Sequence, residues 1–247
     1  MSCFARTIAA AALAAALALA AAPALAQIAP DGPPDVQAAR TLRQIVDSYL
    51  DWRGGYAFAA LQSIHERLYL DTGTGREAGA VWMDRDGRVR RETSIDGARQ
   101  VEVVTAQGAW RQGADGPAAG DPAAVERARR YALLVFGDAL AGRGGASVAL
   151  AGTADVEDKT WSVVRVSFGD ADTYDALIDA ATGYLCCYQI TEGGVKRTEL
   201  MGDWRLVDGV RMPFATLTSA AVQVGARISA IELNRPLDET LFQRPSG

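Results

Sequence analysis

The chain has 247 residues, with 25 basic and 30 acidic side chains, a formal net charge of −5 and an apolar fraction of 49%. The acidic balance excludes a role built on polyanions, because neither nucleic acid nor an anionic membrane surface attracts such a protein. The apolar fraction excludes a disordered chain, and beyond the N-terminus no apolar run is long enough to cross a bilayer.

Residues 1–26 carry one charged side chain, Arg6, then an Ala/Leu run from Ile8 to Ala22, then Pro23-Ala24-Leu25-Ala26 before Gln27. A basic start, a short apolar middle and a small-x-small end predict a cleavable secretory signal peptide. No Cys follows the expected cleavage point, so a lipid anchor is not expected and a soluble, exported protein is. Pro30, Pro33 and Pro34 make residues 27–34 a Pro-rich leader that cannot be regular structure. Residues 35–247 are expected to form a single domain, which has ample length for one core.

Asp35 is placed to cap a helix whose apolar positions Val36, Ala39, Leu42, Ile45, Val46, Tyr49 and Leu50 follow a 3.6-residue period, ended by Gly54-Gly55. From Ser63 the period changes to two. Strands are expected at Ile64–Leu70, Ala78–Met83, Val89–Ile95 and Gln100–Thr105, separated by the turn segments Asp71–Gly75, Asp84–Gly87 and Asp96-Gly97. Close spacing of short strands and tight turns predicts an antiparallel meander. Gly113–Gly120 is expected to be a flexible loop. Asp121-Pro122 then opens a second helix that ends in the run Tyr131-Ala132-Leu133-Leu134-Val135-Phe136, apolar nearly all round. That run fits an ordinary buried helix or a helix covering an apolar cavity.

Strands return at Ser147–Ala151, Thr160–Phe168, Thr173–Asp179, Tyr184–Thr191, Lys196–Trp204, Val210–Ser219 and Gln223–Leu233. Several are apolar on both faces, as Val164, Val166 and Phe168 alternate with Trp161 and Val163. Such a sheet is sandwiched between layers or wrapped around an apolar interior, and with two substantial helices the wrapped sheet is the more economical. The adjacent Cys186 and Cys187 are expected to point to opposite faces, one in the core and one outside.

Catalytic patterns are absent from the sequence. His65 is the single histidine, which excludes a His-rich metal cluster, and no nucleophile elbow, phosphate loop or zinc spacing occurs. Gly169-Asp170-Ala171-Asp172 lacks the glycine and distal glutamate of a calcium loop and reads as a turn. Asp203 and Asp208 could imitate a glycosidase pair, but Asp208-Gly209 fits a turn better. No cofactor or metal is expected, and the chain is read as a non-enzyme.

Three segments in order carry a resemblance. Ile178-Asp179-Ala180-Ala181-Thr182-Gly183-Tyr184-Leu185 resembles a hairpin of the outer-membrane lipoprotein-sorting proteins, the LolA/LolB-like superfamily. Gly202–Pro213, with Val207-Asp208-Gly209-Val210 at its turn, is similar to a second hairpin, and Asn234-Arg235-Pro236-Leu237-Asp238 to Phe242 resembles the closing segment. Upstream, Tyr49, Gly54-Gly55, Leu61 and Ile64 match the entry helix and first strand. The resemblance implies an α+β, mainly antiparallel fold: a strongly curved sheet, or incomplete β-barrel, with helices covering its concave apolar face. It further implies a periplasmic carrier or chaperone that binds lipid or lipoprotein acyl chains, with outer-membrane lipoprotein sorting as one such task. The expected partner is a lipid or acylated lipoprotein, with no nucleic acid. A sensor or regulatory module of the same fold that docks an envelope membrane protein is the alternative. The apolar ligand is expected to meet Leu133, Leu134 and Phe136 on the covering helix and Trp82, Trp161, Val164 and Phe168 on the wall.

Overall fold

The structure, a computed structural model, describes residues 36–71, 75–95, 97–156, 158–169, 172–219 and 224–244. The signal-peptide and leader assignments, Asp35, Asp96 and the inner residues 72–74 and 170–171 of two expected turns lie outside them. Helix α1 (Val36–Arg53) and the four-residue α2 (Tyr56–Ala59) precede six strands. These are β1 (Ser63–Asp71), β2 (Arg76–Asp84), β3 (Val89–Ile95), β4 (Ala98–Thr105), β5 (Gly108–Gly113) and β6 (Gly116–Ala119). Helix α3 (Ala123–Val135) leads to β7 (Ser147–Val156), β8 (Lys159–Phe168), β9 (Asp172–Ile178), β10 (Leu185–Glu192), β11 (Val195–Val207), β12 (Val210–Ser219) and β13 (Val224–Leu233). A short 3₁₀ turn, Glu239–Phe242, follows.

All thirteen strands form one antiparallel sheet in the order β6-β5-β4-β3-β2-β1-β13-β12-β11-β10-β9-β8-β7. It is two meanders joined where β1 pairs with β13, from Ile64 opposite Leu233 to Asp71 opposite Gly225. The free edges are β6 and β7, so the sheet is not closed into a barrel. Because α3 connects one edge strand to the other, the chain must carry it across the sheet. The sheet curves around it: α3 packs on β4 and β5, while its Arg130 pairs with Asp172 of β9.

Local chemistry explains these elements. On α1, Ile45, Val46 and Tyr49 are buried in the core, as the helical stripe requires. On α3, Ala124, Ala128 and Ala132 form a buried small-residue row that lets the helix lie close to the sheet. The Asp121 carboxylate accepts the Ala123 N–H at 2.9 Å and stabilises the start of the helix. At the β11–β12 hairpin, Val207 pairs with Val210 across Asp208 (φ 47°) and Gly209 (φ 83°), the two left-handed positions that a tight turn demands.

Two expectations are corrected. Residues 113–120 are not a loop: β5 and β6 form a hairpin in which Gly113 pairs with Gly116 and Trp110 with Ala119. Glycine, proline and alanine give β6 no periodic signal, and an edge strand tolerates Pro117 because its missing N–H is not needed there. Cys186 and Cys187 do not point to opposite faces. Both are buried in a second apolar cluster with Trp161, Val163 and Leu177, behind the main core. The pairing shifts between Leu185 and Cys187, a β-bulge that places two successive residues on one side before Tyr188 returns to the other.

Candidate functional site

The concave face holds a partly open cavity of about 190 Å³ between the sheet and α3. Its apolar wall comes from inward positions of strands far apart in sequence: Ile64 and Leu68 on β1, Val81 and Met83 on β2, Ile190 on β10, Met201 on β11, Met212 on β12 and Ile228 on β13. Leu134 and Val135 of α3 close it. Methionine's unbranched, polarisable side chain adapts to irregular contents, and three of the chain's four methionines line this space.

One end of the cavity is charged. Glu66 of β1, Arg91 of β3, Tyr131 of α3 and Glu199 of β11 all face into it. Arg91, Tyr131 and Glu199 also border a polar vestibule of about 410 Å³, completed by Glu102, Arg127, Glu192 and Arg197 among others. Tyr131 and Glu199 are close enough for the Glu199 charge to act on the Tyr131 hydroxyl. Arg91 pairs with Glu102 at 2.9 Å, and Arg197 with Glu192 at 2.7 Å. Glu66 has no hydrogen bond or ion pair to another described residue. Enclosure by protein, reinforced by the charge of Glu199 and opposed by Arg91, pushes the Glu66 carboxyl up to about 7. Enclosure also raises Glu199 above the usual carboxylate range, against the pull of Arg197 and Arg91, and the neighbouring Glu199 raises Tyr131.

The raised Glu66 carboxyl has a consequence for stability. A carboxyl that holds its proton more tightly in the folded state stabilises the fold at acid pH. That contribution is lost as pH rises from the unfolded value of about 4.3 through about 7. Glu66→Gln is therefore expected to raise the melting temperature at about pH 8, by the equivalent of about 1–3 kcal/mol, and to change it little at about pH 4. Melting curves across that range check it; a variant equally or less stable at the alkaline end would contradict it.

Arg53, buried at the end of α1, borders the same cavity. It donates to the Arg211 carbonyl at 2.9 Å and the Tyr49 hydroxyl at 2.8 Å, with Met212 Sδ at 3.7 Å, and lies 4.2 Å from the Phe58 ring centre. Nearby, the Trp204 indole N–H is buried without a partner among the described residues while its ring borders the cavity. No group of three or more His, Cys, Asp or Glu side chains with metal-holding geometry occurs among the described residues. No described helix is long and apolar enough to cross a membrane.

Of the residues singled out in the sequence, Leu134 lines the cavity. Val164, Phe168 and Phe136 lie in the same core behind its wall: Phe168 meets Tyr174 edge-on at 5.7 Å, and Phe136 ends α3 under Arg85. Leu133 is half-buried and sits where a side chain at Gly144 would touch it, against the loop after α3. Trp82 and Trp161 lie on the other face of the sheet. Trp82 stacks on His65 at 4.7 Å, and Trp161 belongs to the second cluster with the cysteines. Sequence reading passed over Glu66 and Glu199. A signal was present: in Ile64-x-Glu66-x-Leu68 a carboxylate occupies an inward position between two core residues.

No family model and no curated protein sequence matches the chain. Solved structures do. A DUF1329 family protein from Desulfovibrio piger superposes with a TM-score of 0.56 at 8% identity, covering 82% of this chain and 97% of its own. A LolA superfamily protein from Nitrosomonas europaea gives 0.54 at 10% identity, covering 83% and 97%. An outer membrane lipoprotein-sorting protein domain from Vibrio parahaemolyticus gives 0.52 at 10% identity, again with 83% and 97%. The fold is thus LolA-like: a curved, open antiparallel sheet with helices on its concave side.

Proposed function

We propose that this protein is a periplasmic carrier that holds the acyl chain of a lipid or lipoprotein between its curved sheet and α3, without catalysis. The observation that carries the reading is the partly open, mainly apolar cavity, lined from seven strands and covered by a helix that joins the two free edges of the sheet. Each methylene moved there from water contributes about 0.8 kcal/mol, so a chain can be held without directed chemistry at its tail. The charged end gives a polar head somewhere to remain solvated. The signal-peptide pattern of residues 1–26 and the likeness to a lipoprotein-sorting domain support the compartment and the cargo class.

The test is mass spectrometry of apolar molecules that co-purify with the protein from a bacterial envelope, under native conditions. A stoichiometric lipid or acylated peptide is expected. A protein that is empty and ignores added acyl chains would favour the docking module instead.

A further inference from the structure

An apolar chain needs no carboxylates, yet two face this cavity. The cations around them are engaged elsewhere: Arg91 with Glu102 at 2.9 Å, Arg197 with Glu192 at 2.7 Å and Arg127 with Asp121 at 2.7 Å. Arg53, the remaining cation on the cavity, spends its donors on a tyrosine, a carbonyl and a thioether. Glu192 also accepts from Tyr174, and Tyr131 of α3 faces the cavity beside Glu199. Glu66 is left with no hydrogen-bond donor among the described residues. Glu66 is half-buried on the cavity wall, and a ligand that brings a charged donor to it gains a charge-assisted hydrogen bond that the protein does not supply. Glu199 lies where the apolar cavity meets the polar vestibule, the place at which the head of an amphiphile would sit once its tail is inside, and Glu66 faces the cavity with it.

Resting on the carrier reading, we infer that Glu66 and Glu199 form a head-group subsite, and that the preferred cargo carries a protonated amine where its apolar chain begins. The ammonium lies between the two carboxylates, with the chain directed toward Met83, Met201 and Met212. Arg91 and Arg197 stay in their own ion pairs and keep an anionic head from gaining the same advantage.

The experiment compares octylamine, octanol and octanoate, which share one tail and differ in head charge, by tryptophan fluorescence at about pH 8, where an alkylamine is protonated. Trp204, on the cavity wall, is a built-in reporter. Octylamine is expected to bind about tenfold tighter than octanol, with octanoate weakest. In Glu66→Gln, and separately in Glu199→Gln, the ratio of amine to alcohol affinity is expected to fall severalfold. Melting curves confirm that each variant is folded. Octanol binding with no preference for the amine, an octanoate preference, or a ratio unchanged in both variants would overturn the inference while leaving the carrier reading intact. If none of the three binds, the carrier reading fails and this inference fails with it. Short-chain phosphatidylethanolamine against phosphatidylglycerol then separates the two sources of an amine head: a preference for the former identifies a phospholipid, and equal binding a simple amphiphilic amine.

Discussion

Arg85→Ala is expected to cost about 3–5 kcal/mol of folding stability, because it removes one partner of a largely buried ion pair and unties three chain segments together. Arg85 lies in the β2–β3 turn and uses every donor of its guanidinium. Two reach Asp138 at 2.7 and 3.0 Å, two reach the carbonyls of Ala59 and Leu61 at 2.7 and 2.8 Å, and one reaches the Phe136 carbonyl at 3.3 Å. The turn is thereby fastened to the exit of α2 and to the exit of α3. Without Arg85 the Asp138 carboxylate keeps only Arg143, whose side chain is mostly in solvent. Lysine offers one compact group with three donors and cannot replace the planar fork, so Arg85→Lys is expected to recover less than half of the loss.

The pH dependence follows from Asp138. Burial pushes its carboxyl up, but the hydrogen bonds and charge of Arg85, helped by Arg143, outweigh burial and hold it below the usual carboxylate range. A depressed carboxyl stabilises the fold above its unfolded value of about 3.9, and that contribution is lost as pH falls through the lower folded value. The gap between wild type and Arg85→Ala in urea midpoints is therefore expected to be full near pH 7 and to narrow below about pH 4. A difference under about 1 kcal/mol at neutral pH would mean that the clamp contributes no more than an ordinary surface pair.

Gly183→Ala is expected to cost about 2–5 kcal/mol, combining left-handed strain with a clash that no side chain can relieve. Gly183 has φ 73° in the turn between β9 and β10. A Cβ there would lie 2.1 Å from the Ser48 carbonyl oxygen, 2.4 Å from its carbon and 2.8 Å from the Tyr49 nitrogen, all backbone atoms of α1. To relieve the clash, α1 would have to lift from the sheet, taking the fully buried Tyr49 with it. Gly97 is the natural control: its φ is 77°, with no atom within 4 Å of the added Cβ. Gly97→Ala should show the strain alone, about 1–2 kcal/mol. Equal losses at the two sites would contradict the close approach of α1 to this turn.

The same glycine shows what was legible in the sequence. Asp179–Gly183 and Asp208-Gly209 are turns whose chemistry is local, so strands β9 to β12 emerge within a few residues of their true ends. The α1 stripe is equally local, and Leu134 followed from an apolar run too broad for one helix face. Where the backbone departed from a strict period, the pattern misled: the bulge at Cys186 puts two neighbours on one side, and β6 has almost no side chains to show a period. The cavity itself is non-local. Glu66 and Glu199 are 133 positions apart, and only the curvature of the sheet sets them on one wall. Which of Trp82, Trp161 and Val164 faced inward was likewise undecidable from strands that are apolar on both sides. Inwardness there depends on the direction of bending, which no single strand encodes.

The central claim is that the space under α3 admits an apolar chain, and the methionines allow it to be tested directly. Met83, Met201 and Met212 line the cavity from three different strands, and the remaining methionine is Met1. Methyl-labelled methionine would therefore report on the cavity with a nearly empty spectrum. Titration with octanol is expected to shift all three cavity methyl signals together along one saturable curve. Methyl signals that stay in place while octanol is added to excess would show that no chain enters, and would contradict the account.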